Sequence, residues 1–131
     1  MRYLIDTDTA SSFIRGQEPL RSKLLSKSNE WGISAVTYFE LAKYQFSTPN
    51  LETEEAIALF LMDVLVVPFD SADALEAGRL GTILKKAGTP IGEPDTLIAG
   101  HALSLRATLI SNNTKHFSKV PELQLENWSQ G

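Results

Sequence analysis

Four short apolar runs, each closed by a polar residue and separated by stretches of helical periodicity, limit how this chain can fold. They are Tyr3-Leu4-Ile5, Trp31-Gly32-Ile33, Val66-Val67-Pro68-Phe69 and Thr108-Leu109-Ile110, with Leu123 to Leu125 as a fifth candidate. Runs this short and this apolar suit strands buried on both faces. The intervening segments read as helices. Thr7 to Arg15 places Ala10, Phe13 and Ile14 on one side and is stopped by Gly16. Pro19 to Ser26 turns Leu20, Leu24 and Leu25 inward. Ser34 is a suitable N-cap for Ala35 to Phe46, where Val36, Phe39, Ala42 and Lys43 recur at helical spacing before Pro49. Thr53 to Leu65 buries Ile57, Phe60, Leu61 and Val64. Ser71 caps Ala72 to Ala87, and Pro94 opens a helix that runs to Leu105. Strands alternating with helices need crossover connections, so the fold class is α/β with a parallel sheet and helices on both faces.

A chain of 131 residues fits one domain, and 43 % hydrophobic residues can build a core. No apolar run reaches the roughly 18 residues of a membrane span; the longest, Ala56 to Phe69, is broken by Asp63 and Pro68. Only three apolar residues separate Met1-Arg2 from Asp6, unlike a signal peptide, and a cytoplasmic location is the default. Without cysteine there is neither a disulfide nor a thiolate metal site. The net charge of −4 argues against gripping nucleic acid by charge alone. It does not exclude a nuclease whose carboxylates are neutralised by metal.

Ligands of open α/β sheets bind beyond the carboxyl ends of the strands. Asp6 follows the first run, with Asp8 two residues on. Glu40 lies in the helix after the second run, and Asp95 opens the helix after Gly92. Ser111, Asn112 and Asn113 follow the fourth run. Carboxylates brought together there would repel unless a cation lay between them. Oxygen-only ligation suits Mg²⁺ or Mn²⁺. Such an ion acidifies a water and offsets charge at phosphorus, so the residues point to metal-assisted hydrolysis of a phosphate ester. Each residue also has a plainer reading. Asp6 can be only a helix N-cap, and Asp8 and Asp95 first-turn partners of the helix dipole. Glu40 can sit on a solvated face, although an unpaired carboxylate between Phe39 and Leu41 is costly. Asn112-Asn113 can be only a turn. His101 reads as a packed core residue, and Glu93 as a solvated loop charge.

The ordered set is more specific than its members. Tyr3-Leu4-Ile5-Asp6-Thr7-Asp8-Thr9, Ile33-Ser34-Ala35-Val36-Thr37-Tyr38-Phe39-Glu40-Leu41, Ile91-Gly92-Glu93-Pro94-Asp95-Thr96-Leu97-Ile98-Ala99-Gly100-His101-Ala102 and Ser111-Asn112-Asn113-Thr114-Lys115-His116-Phe117, ending in Leu125-Glu126-Asn127-Trp128, span nearly the whole chain. In this order they resemble the PIN-domain ribonucleases, specifically the VapC toxins of VapBC toxin–antitoxin pairs. The resemblance implies one PIN domain over residues 1–131: a three-layer α/β/α sandwich around a central parallel sheet of four or five strands.

It further implies that Asp6, Glu40, Asp95 and Asn113 form the catalytic set. Asp6 and Asp95 would be Mg²⁺ ligands, with Glu40 and Asp8 as further candidates and Mn²⁺ as a substitute ion. Two positions depart from the family pattern. Asn113 stands where other PIN domains carry an acid, and Asp8 where the family often has Asn. Ser111 stands where Thr is usual. The activity implied is endoribonucleolytic cleavage that arrests translation, with tRNA as substrate and the anticodon region of initiator tRNA as the expected target. Arg15, Lys43, Lys115, His116 and Lys119 are candidate RNA contacts. The partners implied are a VapB antitoxin, which inserts a basic side chain toward the acidic site, a second copy of the chain, and operator DNA through the antitoxin only.

Asp6-Thr7-Asp8-Thr9 after a strand also resembles the nucleophile motif of haloacid-dehalogenase-type phosphatases, with Asp6 attacking phosphorus. That family expects an acidic pair where Ser111-Asn112-Asn113 stands. A receiver domain would place its phosphoacceptor near Asp70, but the matching Thr and Lys are missing. A non-catalytic module on a PIN scaffold would be favoured by a broken acidic set, and here Asp6, Glu40 and Asp95 are all present.

Overall fold

The computed structural model describes residues 1–130. Its elements run β1 (Tyr3–Ile5), α1 (Thr7–Ile14), α2 (Leu20–Ser26), β2 (Trp31–Ser34), α3 (Ala35–Ser47), α4 (Leu51–Asp63), β3 (Val66–Val67), α5 (Ser71–Lys86), α6 (Glu93–Leu105), β4 (Thr108–Ile110), α7 (Thr114–Phe117) and β5 (Leu125–Glu126). The strands form one sheet in the order β3-β2-β1-β4-β5, and every pairing is parallel. Central β1 pairs Tyr3 with Trp31 on one side and with Thr108 on the other. The chain first builds outward from β1 to β3, then returns to add β4 and β5. The order therefore reverses beside β1, and the crevice at that switch point is where open sheets bind ligands.

The pleat divides the core in two. Tyr3, Ile5, Ile33 and Ile110 pack with Leu20, Leu24, Leu41, Ile57 and Leu61, which come from α2, α3 and α4. Leu4 and Leu109 face the other way and pack with Leu80, Leu84, Ile98 and Ala102 of α5 and α6. The sheet thus lies between two helical layers, as expected. The α5–α6 contact is close enough to need glycine: a Cβ at Gly100 would lie 2.5 Å from the Ala77 Cα. No helix among the described residues is long and apolar enough to cross a membrane.

Several expected details differ. Asp70, not Ser71, caps α5. Its carboxylate accepts from the Ala72 and Asp73 amides, and Asp73 Oδ2 accepts from the Asp70 amide at 2.9 Å. This reciprocal box satisfies more amides than a Ser71 hydroxyl would. α4 starts at Leu51 because Asn50 caps it through the Thr53 amide, and it ends at Asp63. β3 stops at Val67, so Pro68 and Phe69 lie outside it. β5 covers Leu125–Glu126, and the short α7 was not expected at all. Leu25 is 53 % exposed: α2 is short and buries only Leu20 and Leu24, one turn apart. Phe39 likewise turns outward on α3.

Candidate active site

Asp6 closes β1 at the switch point and is buried. It is the N-cap of α1: Oδ1 accepts from the Thr9 amide at 2.9 Å. Its other oxygen, Oδ2, accepts from the Ser111 hydroxyl at 2.7 Å, across the gap from β1 to β4. Capping and function are therefore not alternatives here, because one carboxylate can cap a helix and still present lone pairs to the crevice. Burial pushes the Asp6 carboxyl above its ordinary range; the Thr9 and Ser111 hydrogen bonds counter this, and the Asp8 charge adds to it.

Ser111 is buried without exposure, and its Oγ also accepts from the Asn113 amide at 2.9 Å. One hydroxyl thus holds Asp6 and turns the chain toward α7, whose N-terminal flank is Asn113. Asn113 is half-buried beside the crevice, and Asn112 is exposed.

Glu40 lies on α3, which Ser34 caps through the Val36 amide. The apolar setting of Glu40 is resolved by a hydroxyl: Thr7 Oγ1 donates to Glu40 Oε1 at 2.6 Å and lies 3.0 Å from Thr37 Oγ1. Asp8 is exposed at the start of α1, and it lines one groove together with Thr7 and Glu40. Asp95 sits in the first turn of α6, launched by Gly92 at φ +88°. Its Oδ2 lies 3.0 Å from His116 Nε2, whose single N–H donates to the Ile91 carbonyl at 2.7 Å. Burial raises the Asp95 carboxyl above its ordinary range. His116 counters this, while the charges of Asp8 and Glu40 add to it. Asp6, Asp8, Glu40 and Asp95 therefore share one electrostatic neighbourhood built from α1, α3, α6 and the end of β1.

The basic residues divide. Arg15 and Lys43 line the groove that holds Asp8 and Glu40. Lys115 and Lys119 are exposed on and after α7, and neither lines that groove. His116, expected only as a basic neighbour of the site, is the partner of Asp95. Thr7 and Thr37 are not among the expected site residues; the one signal in the sequence is Thr37, a hydroxyl set among Val36, Tyr38 and Phe39 on α3. His101 is the packed core residue expected, buried with Nδ1 2.8 Å from Ser34 Oγ, and burial lowers its pKa. Glu93 is exposed, as expected of a solvated charge.

Every carboxylate and amide donor at the site is an oxygen donor, the set that suits Mg²⁺ or Mn²⁺. Among the described residues, no three His, Asp or Glu side chains close around a common point. Mg²⁺ does not require that, because it keeps several waters and uses one or two protein carboxylates. Two carboxyls raised by burial, with the Asp8 charge acting on both and that of Glu40 on Asp95, are what such an ion would relieve, so the residues fit it.

Residues 3–123 match the PIN domain family model. The chain is 34 % identical to the ribonuclease VapC1 of Haemophilus influenzae (strain R2866), over 99 % of this chain and 100 % of that one. It is 28 % identical to the tRNA(fMet)-specific endonuclease VapC of Salmonella typhimurium, over 98 % of both. Its fold superposes with TM-score 0.89 on a chain of the VapBC2 structure from Rickettsia felis, bound to a DNA fragment from its promoter, at 30 % identity and covering 98 % of this chain and 99 % of that one. Neither the phosphatase nor the receiver alternative fits these matches. A central β1 ending in a buried, doubly held aspartate, with Asp8 and Glu40 on the groove beside it and relatives of this kind along its whole length, places the chain in the PIN-domain family, among the VapC ribonucleases.

Proposed function

We propose that this chain is the toxin of a VapBC-type toxin–antitoxin pair: a Mg²⁺-dependent endoribonuclease that cuts tRNA, with the anticodon region of initiator tRNA as target, and so stops translation in the cytoplasm. The observation that carries the reading is Asp6, buried at the switch point, held by the Thr9 amide and the Ser111 hydroxyl, with the Asp8 charge nearby. Asp6 and Asp95 would hold the ion, with Asp8 and Glu40 alongside, and Mn²⁺ would substitute. The bound ion supplies acidification of water and neutralisation of charge developing at phosphorus. The chain's own residues do the rest. Ser111 and Thr9 fix the Asp6 oxygens, and His116 fixes Asp95. Glu40, oriented by Thr7, stands ready to accept a proton from attacking water. Asn113 orients groups at the same edge by hydrogen bonding without adding charge. Arg15 and Lys43 hold RNA phosphates at the groove, and Lys115 and Lys119 extend the basic flank beyond Asp95.

The partner is a VapB-type antitoxin whose basic side chain reaches toward the acidic residues of the site, since an Arg pairs with carboxylates bidentately. The toxin acts as a homodimer within the larger complex and reaches operator DNA only through the antitoxin. The decisive experiment is induced expression of the wild type and of Asp6→Ala, with sequencing of the RNA ends formed. Growth arrest and new tRNA ends in the wild type alone are expected; equal arrest in both strains removes Asp6 from catalysis.

A further inference from the structure

The groove that starts at Asp8 and Glu40 continues well past them, and the acid chemistry does not call for that extension. It encloses about 510 Å³ between α1, α3 and the start of α4, a volume in the range of sites for small organic groups. Its apolar lining is Ile14, Leu41 and Ile57. Hydroxyls of Ser11, Ser47 and Thr53 stand among these aliphatic groups, and the exposed Arg15 and Lys43 contribute cations. Lys43 Nζ lies 5.2 Å from the centre of the Phe39 ring, which supports the ammonium at the surface. Tyr44 completes the lining and leaves 56 % of its surface exposed. Glu40 and Tyr44 are four residues apart on one helix, so they occupy the same face, one turn from each other.

An exposed ring, an aliphatic lining, a few hydroxyls and flanking cations are the chemistry that holds a nucleobase with its phosphates. We propose that this groove is a base pocket: it takes an unpaired nucleobase next to the scissile phosphate, stacked on Tyr44, with Arg15 and Lys43 on the adjoining phosphates. The inference rests on the ribonuclease function proposed above and adds a substrate requirement to it. The base beside the cut must be free to leave its stack, so single-stranded or looped RNA is bound and a continuous duplex is not. The hydroxyls read base edges, and the ring itself is tolerant of base identity because every base has a stacking face.

The test uses the full chain in EDTA and a single-stranded RNA oligonucleotide carrying the fluorescent base 2-aminopurine at each position in turn. Wild type is expected to change the fluorescence strongly at one or two positions, and Tyr44→Phe to do the same. Tyr44→Ala should lose that signal and bind the oligonucleotide more weakly by roughly fivefold to a hundredfold, the range for loss of one base–aromatic stack. A duplex of the same sequence should compete poorly. Thermal melts check that Tyr44→Ala remains folded, as expected for a half-exposed side chain. If Tyr44→Ala binds the oligonucleotide as wild type does, the base pocket is wrong while the ribonuclease reading stands. If Tyr44→Ala loses affinity only for an Arg-containing peptide and not for RNA, the groove is a peptide site and the proposal fails. A wild type that neither binds RNA in EDTA nor cuts it once Mg²⁺ is supplied refutes the underlying function instead.

Discussion

Replacing Ser111 by Ala tests how the site is held together. The Ser111 hydroxyl makes two buried contacts, donating to Asp6 Oδ2 at 2.7 Å and accepting from the Asn113 amide at 2.9 Å. A hydrogen bond to a charged group contributes about 1.5–3 kcal/mol, and an amide left without an acceptor in a half-buried place costs about 1 kcal/mol more. The variant should therefore lose about 2–4 kcal/mol at neutral pH, equivalent to a melting-temperature drop of roughly 6–15 °C for a domain of this size. The loss should depend on pH. The Ser111 bond favours ionised Asp6, so removing it raises the Asp6 pKa further. The gap between wild type and variant is then widest where Asp6 is charged in both, and it shrinks in acid as Asp6 takes up its proton. Activity should follow position as well as stability. Groups that orient a metal ligand typically carry about 10–100-fold in metal affinity or activity, so half-maximal RNA cleavage should need that much more Mg²⁺. Ser111→Thr, which keeps the hydroxyl, should restore most of the Mg²⁺ response. Urea or thermal unfolding from pH 4 to pH 8, with Mg²⁺ titrations of cleavage, makes the comparison. A melting temperature within about a degree of wild type at neutral pH, with an unchanged Mg²⁺ response, refutes the assignment of Ser111 as the holder of Asp6.

Three more outcomes follow from the same geometry. Asp6 has a raised pKa in the fold, so the folded state binds the proton more tightly than the unfolded one, and stability falls as pH rises from about the ordinary aspartate value of 3.8 through the raised folded value. Without divalent ions, Asp6→Asn, which keeps an N-cap acceptor, should therefore melt higher than wild type at neutral pH, lose this pH dependence and abolish cleavage; a lower melting temperature contradicts it. Thr7→Val removes the donor 2.6 Å from Glu40 and should lower kcat about tenfold with little change in KM, whereas Thr7→Ser should keep most of the rate. Steady-state kinetics on an oligonucleotide separates the two. Gly100→Ala places a methyl 2.5 Å from the Ala77 Cα and should destabilise the chain by about 1–3 kcal/mol in urea, whereas Gly81→Ala, with 3.5 Å to its nearest neighbour, should not.

Much of this arrangement is written locally in the chain. The run Tyr3-Leu4-Ile5 states a buried strand by itself, and the polar residue after it must then lie at a strand end. Ser34 before an apolar helix reads as a cap, and Glu40 within that helix reads as a carboxylate in need of a reason. His101 among small apolar residues reads as core. These inferences hold because periodicity, capping and burial act over a few residues, and an α/β alternation leaves few topologies. Where they missed, a nearby competitor won on local detail: Asp70 offers two acceptor oxygens where Ser71 offers one, and a two-turn α2 has one buried row, so Leu25 falls outside it.

The sequence by itself determined the α/β class, the buried strand ahead of Asp6, and the acids that close the strand ends. Tertiary structure alone decided what those acids touch. Ser111 reaches Asp6 from 105 residues away, and Thr7 reaches Glu40 from 33 residues away. Nothing in either neighbourhood announces the other. Ser111 meets Asp6 because β4 returns to the side of β1 opposite β2, and Thr7 meets Glu40 because α1 and α3 follow the paired strands β1 and β2. The raised state of Asp6 and Asp95 has the same origin, since burial and the field of neighbouring carboxylates exist only once the four segments have come together.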